Sequence, residues 1–144
     1  QPAGNGGPKI TLRECIIDNI YEAGLSGLNS SIEASNCLIT NCGVNILLIK
    51  GGDYSFIHCT VASYGTLFLP HKNPVLYLNN WDSTAGAVLT YDLNADFVNN
   101  IFWGDNGSVD DEVLVVLVGD SGGEFLADEL GENSIGHRMS FVRS

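Results

Sequence analysis

Hydrophobic positions in the first half of the chain recur in a fixed register. Cys15, Cys37 and Cys59 stand 22 residues apart, twice over. Five residues before each lie Ile10, Ile32 and Tyr54, and three before lie Leu12, Ala34 and Phe56. Two residues after each come Ile17, Ile39 and Val61, and ten after come Leu25, Leu47 and Leu69. Polar positions keep step, with Asn19, Asn41 and Ser63 four residues after the cysteines. A period of about 20–50 residues marks a stacked-repeat architecture. Units this short, rich in β-branched residues and punctuated by Asn and Gly, predict short strands joined by bends. Each unit is then one coil of a β-solenoid. Asn and Gly tolerate the left-handed backbone such bends need, which makes Asn36, Asn19 and Asn41 bend candidates. Asn side chains stacked along the axis are expected to hydrogen-bond one another.

The first coil spans about residues 9–30, the second 31–52, and the third begins at Asp53. The fourth is offset. Asp96 to Gly104 matches Ser55 to Ser63, with Phe97 in the place of Phe56 and Asn100 in that of Cys59. The offset implies about 19 inserted residues within about 64–93, a region holding Pro70, His71, Lys72, Pro74 and Trp81. Long loops on rigid scaffolds are where function concentrates. Val113 to Val118 reads as a buried strand, and Glu124 to Leu130 as a short helix ended by Gly131. The organisation predicted is a linker over residues 1–8, a repeat domain over 9–118, and a C-terminal cap or tail over 119–144.

Composition narrows the partners. Six Lys and Arg against 17 Asp and Glu give a formal charge of −11. That field repels phosphate backbones and anionic membranes, so nucleic acid is not expected. Neutral glycans, cations and basic proteins are left. The longest apolar run, Val113 to Val118, is too short to span a bilayer. The absence of a starting Met and the Pro/Gly-rich opening lead us to expect a mature or excised piece of a longer protein. Stacked cysteines with parallel Cβ vectors are poorly aimed for S–S bonds, so Cys15, Cys37 and Cys59 read as a ladder of free thiols. Cys42 has no repeat partner. No CxxC pair or spaced His predicts zinc.

The segments Ser35 to Gly43, Gly51 to Ala62 and Ala95 to Phe102 resemble right-handed parallel β-helix repeat proteins of the pectate-lyase-like superfamily. The likeness is nearest to uncharacterised surface β-helix proteins of gut bacteria. It spans about residues 9–118. It implies an all-β right-handed parallel β-helix of about four coils, an extracellular or cell-surface location, a lipid anchor through a preceding region, and contact with polysaccharide. Lyases of the group use an acidic Ca²⁺ cluster with an Arg or Lys base. The six cations here, Lys9, Arg13, Lys50, Lys72, Arg138 and Arg143, sit beside no aspartate cluster in repeat register.

Three candidate chemistries follow. Trp81, Tyr77, Tyr91 and His71 in the insertion are candidates for an aromatic sugar platform, against the alternative that they pack the insertion onto the coil flank. Asp105, Asp110, Asp111 and Glu112 offer oxygens for Ca²⁺, against the alternative of a solvated turn; they match neither the EF-hand loop nor the Gly-rich Ca²⁺ repeat. Gly119-Asp120-Ser121-Gly122-Gly123 with His58 and Asp92 or Asp96 imitates a serine-protease order. The chain is too short for that fold, and His58 holds the register place of Asn36. The function expected is a non-catalytic extracellular surface module, glycan-binding or adhesive, with no catalytic residue and no cofactor. The alternatives are a fragment of a polysaccharide lyase or glycoside hydrolase, and a purely structural scaffold. The partners expected are polysaccharide or neighbouring segments of a larger protein.

Overall fold

A computed structural model describes residues 9–105 and 109–119, together with the backbone of three later strands. In chain order the strands are β1 (Ile10–Arg13), β2 (Ile16–Asp18), β3 (Ala23–Ser35), β4 (Leu38–Thr40), β5 (Val44–Ile57), β6 (Thr60–Ser63), β7 (Leu76–Asn79), β8 (Trp81–Thr84), β9 (Ala87–Thr90), β10 (Leu93–Val98), β11 (Ile101–Gly104) and β12 (Val113–Val118). They are followed by β13 (Phe125–Leu130), β14 (Asn133–Ile135) and β15 (Arg138–Arg143). The protein is all-β. Among the described residues no helix is long and apolar enough to cross a membrane.

Three parallel ladders organise these strands. The first joins β1, the second half of β3, the second half of β5, and β10. The second joins β2, β4, β6 and β11. The third joins the first half of β3, the first half of β5, β7 and β12. Inward positions alternate with outward ones along each strand, as the two-residue strand period requires. Their rows make the core: Leu12, Ala34, Phe56 and Phe97 on the first ladder, and Ile17, Ile39, Val61 and Phe102 on the second. The row on the third is Leu25, Ile46, Leu76 and Val113. Phe56 and Phe97 stack at 5.2 Å between centroids, and Phe102 meets Phe97 edge-on at 5.8 Å.

The 22-residue register holds on the first two ladders and slips on the third. Leu25 pairs with Ile46 and not with Leu47, and Leu69 lies outside the ladder. The bend after β4 is one residue shorter than the bend after β2. The missing residue is restored where the pairing passes from Leu28↔Ile49 to Ser30↔Gly52. Lys50, Gly51 and Gly52 all have positive φ there. A Cβ on Gly51 would strike the Asp92 carbonyl, so only glycine fits.

The first bend of each level turns on one left-handed residue: Glu14, Asn36, His58 and Asn99 have φ between 52° and 55°. Each directly precedes Cys15, Cys37, Cys59 or Asn100. Asn19 and Asn41 do the same at the second bend, with φ of 60° and 49°. The expected Asn-to-Asn bonding is replaced by another pattern. The Asn41 amide donates to Asp18, and its oxygen accepts from the Tyr64 N–H. All four cysteines are free, and Cys37, Cys42 and Cys59 are buried. Each thiol donates to the carbonyl two residues before it. Burial pushes the Cys59 and Cys42 thiols up from their ordinary range.

At the fourth level Asn100 stands where a thiol stood below. Its oxygen accepts from the Cys59 N–H at 2.7 Å and its amide donates to the Phe56 carbonyl at 2.9 Å. The inserted chain is two pieces rather than the single one expected. Residues 64–75 form one loop, β7 returns to the third ladder, and the antiparallel hairpin of β8 and β9 forms the second. The helix expected at Glu124 to Leu130 is absent, because Phe125–Leu130 is β13, paired antiparallel to β12. β14 pairs antiparallel to β11 and β15 to β10. The chain thus revisits the third, second and first ladders in reverse order.

Candidate functional site

Loop 64–75 carries His71 into a polar cluster with two carboxylates. His71 on this loop meets Asp105, which follows β11, and Glu112, which precedes β12. Its Nδ1 lies 2.6 Å from Asp105 Oδ1, and its Nε2 lies 3.1 Å from Glu112 Oε2. The His71 side chain is 1% exposed and that of Glu112 4%, while Asp105 is open at 37%. The Nε2 contact is charge proximity without hydrogen-bond alignment. Burial pushes the Glu112 carboxyl up, His71 opposes this, and the Asp105 charge adds to it.

The backbone explains the placement. Leu76 N–H donates to the Glu112 carbonyl as β7 enters its ladder beside β12, which carries Glu112 inward. Gly104 gives the carboxylate its room, since a Cβ there would overlap the Glu112 side chain. His71 Nδ1 is bonded to Asp105, Nε2 faces Glu112, and the ring is closed to solvent. The arrangement fastens the loop to the chain at residues 105 and 112.

The other anticipated residues lie on β7 and at the base of the hairpin of β8 and β9. Tyr77 lies on β7 and accepts from the Asn79 amide, Trp81 opens β8 opposite Thr90, and the Tyr91 N–H donates to the Asn80 carbonyl. His71 faces the carboxylate pair. Of the acidic group, Asp105 and Glu112 turn to His71, Asp110 is exposed and Asp111 half-buried. Among the described residues no group of three His, Cys, Asp or Glu converges to hold a metal. His58 faces the Asn99 amide at 3.1 Å, and residues 120–124 lie outside the described residues.

Two surfaces escaped sequence reasoning. The outward positions of the first ladder align Thr11, Glu33, Ser55 and Asp96 in one row, with a largely covered Ser31 and the exposed Asp53 and Asn94 in the next. Shallow grooves of about 220 and 190 Å³ run along them, the first reaching Arg13 and Ser35. The signal was present as polar residues alternating with Ile32/Ala34, Tyr54/Phe56 and Ala95/Phe97. The third ladder is apolar on its outer side, with Leu47, Ile49, Tyr77, Leu114 and Val116 half-buried. Beside it, Ile20, Tyr21, Val44, Leu47 and Asn73 line a groove of about 480 Å³. No protein-family model matches this chain, and no curated protein or solved structure matches it either.

Proposed function

We propose that this chain is a non-catalytic surface module, wound as a right-handed parallel β-helix, that lays a glycan along the outer side of its first ladder. The winding is supported by the three ladders being visited in the same order at each level. The observation that carries the binding reading is the aligned row Thr11, Glu33, Ser55 and Asp96. Neighbouring rungs of a parallel ladder are about 4.8 Å apart, so hydroxyl and carboxylate groups recur along the stack at a fixed short interval. An extended saccharide chain also presents hydroxyls at a regular short repeat. Carboxylates and hydroxyls together accept from and donate to such groups. Glu33, Asp53 and Asp96 on this face, within a chain of net charge −11, select neutral sugars over polyuronates. The setting that fits is the cell exterior or cell surface, where such polymers are met.

Glycan-array screening followed by calorimetry tests this. Binding of a neutral polysaccharide is expected, lost in Ser55→Arg, whose long cation would fill the row. Failure to bind any sugar removes the proposal. Release of reducing ends or unsaturated product would replace the binding module with an enzyme.

A further inference from the structure

The tip of loop 64–75 is a tight turn. Thr66 N–H donates to the Leu69 carbonyl at 2.8 Å, and Leu69 N–H donates to Thr66 Oγ1 at 2.9 Å. Between them Leu67 and Phe68 are 99% and 92% exposed. Adjacent large apolar side chains left this bare on a fastened loop mark a contact surface rather than a random exposure. The loop is held at its far side by His71 between Asp105 and Glu112, and by Asn73 donating to the Gly43 carbonyl at 3.0 Å. Asn73 also borders the groove lined by Ile20, Tyr21, Val44 and Leu47. Tyr21 is 82% exposed there and Ile20 42%. Asn73 thus ties the finger loop to the rim of the groove.

We propose that a second copy of this chain occupies the groove. Leu67 and Phe68 of one copy seat against Ile20, Tyr21, Val44 and Leu47 of the other, and the reverse contact forms at the same time. A twofold interface needs one self-complementary surface, and an apolar finger on a loop whose Asn73 borders an apolar groove supplies it. Local charge agrees. The groove carries one carboxylate, Glu22, and the finger loop carries exposed Lys72, so opposite signs meet across the axis. The two copies repel at long range, each at −11. Screening that repulsion outweighs the loss of exposed Lys–Glu pairs, so the dimer tightens with added salt.

Sedimentation equilibrium on the full chain, from micromolar to millimolar, is the test. A monomer–dimer equilibrium is expected, its Kd falling as salt rises. Leu67→Ser with Phe68→Ser weakens it at least tenfold, and so does Tyr21→Ser with Leu47→Ser. Mixing the two variants restores one finger-in-groove contact, so the mixed dimer is tighter than either variant alone. Thermal melts of the finger variant at low concentration match the parent, because Leu67 and Phe68 are exposed in the monomer. A monomer at every concentration overturns the proposal, as does a dimer indifferent to both variants. Monomeric protein that co-sediments with phosphatidylcholine vesicles through Phe68 assigns the finger to a lipid interface and also overturns it.

Discussion

Where the chain repeats at 22 residues, the bends before each cysteine and after β2 and β4 each turn on one left-handed residue, and the levels meet through thiols, Ile, Leu and Phe. Where residues 64–75 and 81–90 interrupt the repeat, the added chain sends Val75 into the core but is fastened chiefly by polar side chains. His71 sits between two carboxylates, Lys50 reaches Asp82 at 2.6 Å, and Asn80 exchanges two hydrogen bonds with Val118. Apolar burial is non-directional and rewards any chain that keeps the register. An insertion has no rung to stack on, so directional contacts must fix it. The first region should respond to lost volume, the second to pH and salt.

The largest effect is expected in the core. Phe97→Ala removes the ring that links Phe56 to Phe102 and should cost about 3–5 kcal/mol in denaturant unfolding. Asn100→Ala comes next. It leaves the Cys59 N–H and the Phe56 carbonyl buried without their partner, at about 1–3 kcal/mol. A loss no larger than that of an exposed Asn would show that water enters this bend.

In the interrupted region the signature is pH dependence. Folding raises the Glu112 pKa through burial, so the native state binds this proton more readily than the unfolded chain. Its contribution is greatest below the ordinary glutamate range and falls as pH rises toward the raised value. Glu112→Gln should remove that decline, so the variant gains on the parent as pH climbs. Parallel stability curves in denaturant melts across pH would break the distinction between the two regions. The smallest effect belongs to Asp82→Asn. The half-buried pair with Lys50, still open to water, holds the Lys50 pKa up and the Asp82 pKa down by mutual hydrogen bonding. Water and salt screen it, and its loss should leave the melting temperature almost unmoved.

The legible part of the fold followed from spacing. Cys15, Cys37 and Cys59 fixed the register of Ile10, Ile32 and Tyr54, of Leu12, Ala34 and Phe56, and of the offset match at Phe97, which the pairing reproduces. Counting from the cysteines failed at Leu47 because a bend lost one residue before a bulge regained it. A one-residue slip sends a side chain to the opposite face, so Ile46 is buried and Leu47 looks outward. Phe125–Leu130 reads locally as a helix, and the open edge of β12 made it a strand. The site was less legible. His71 and Asp105 are 34 residues apart and were assigned separate roles. Only the return of β7 beside β12 brings them together. The polar rows of the first ladder were visible as alternating residues, but their alignment across four levels depended on knowing where the insertion begins and ends.

The reversed course of β13, β14 and β15 bears on how the molecule is completed. These strands pair with β12, β11 and β10 in the opposite sense, so the last rung of each ladder is met by a strand that no further parallel level could replace. A ribosome delivers those partners only after the strands they pair with. Until residues 125–143 emerge, three unpaired strand edges on one nascent chain remain open to any neighbour able to donate a strand. Premature termination near Val118 would therefore yield a sticky intermediate, not a slightly shorter protein.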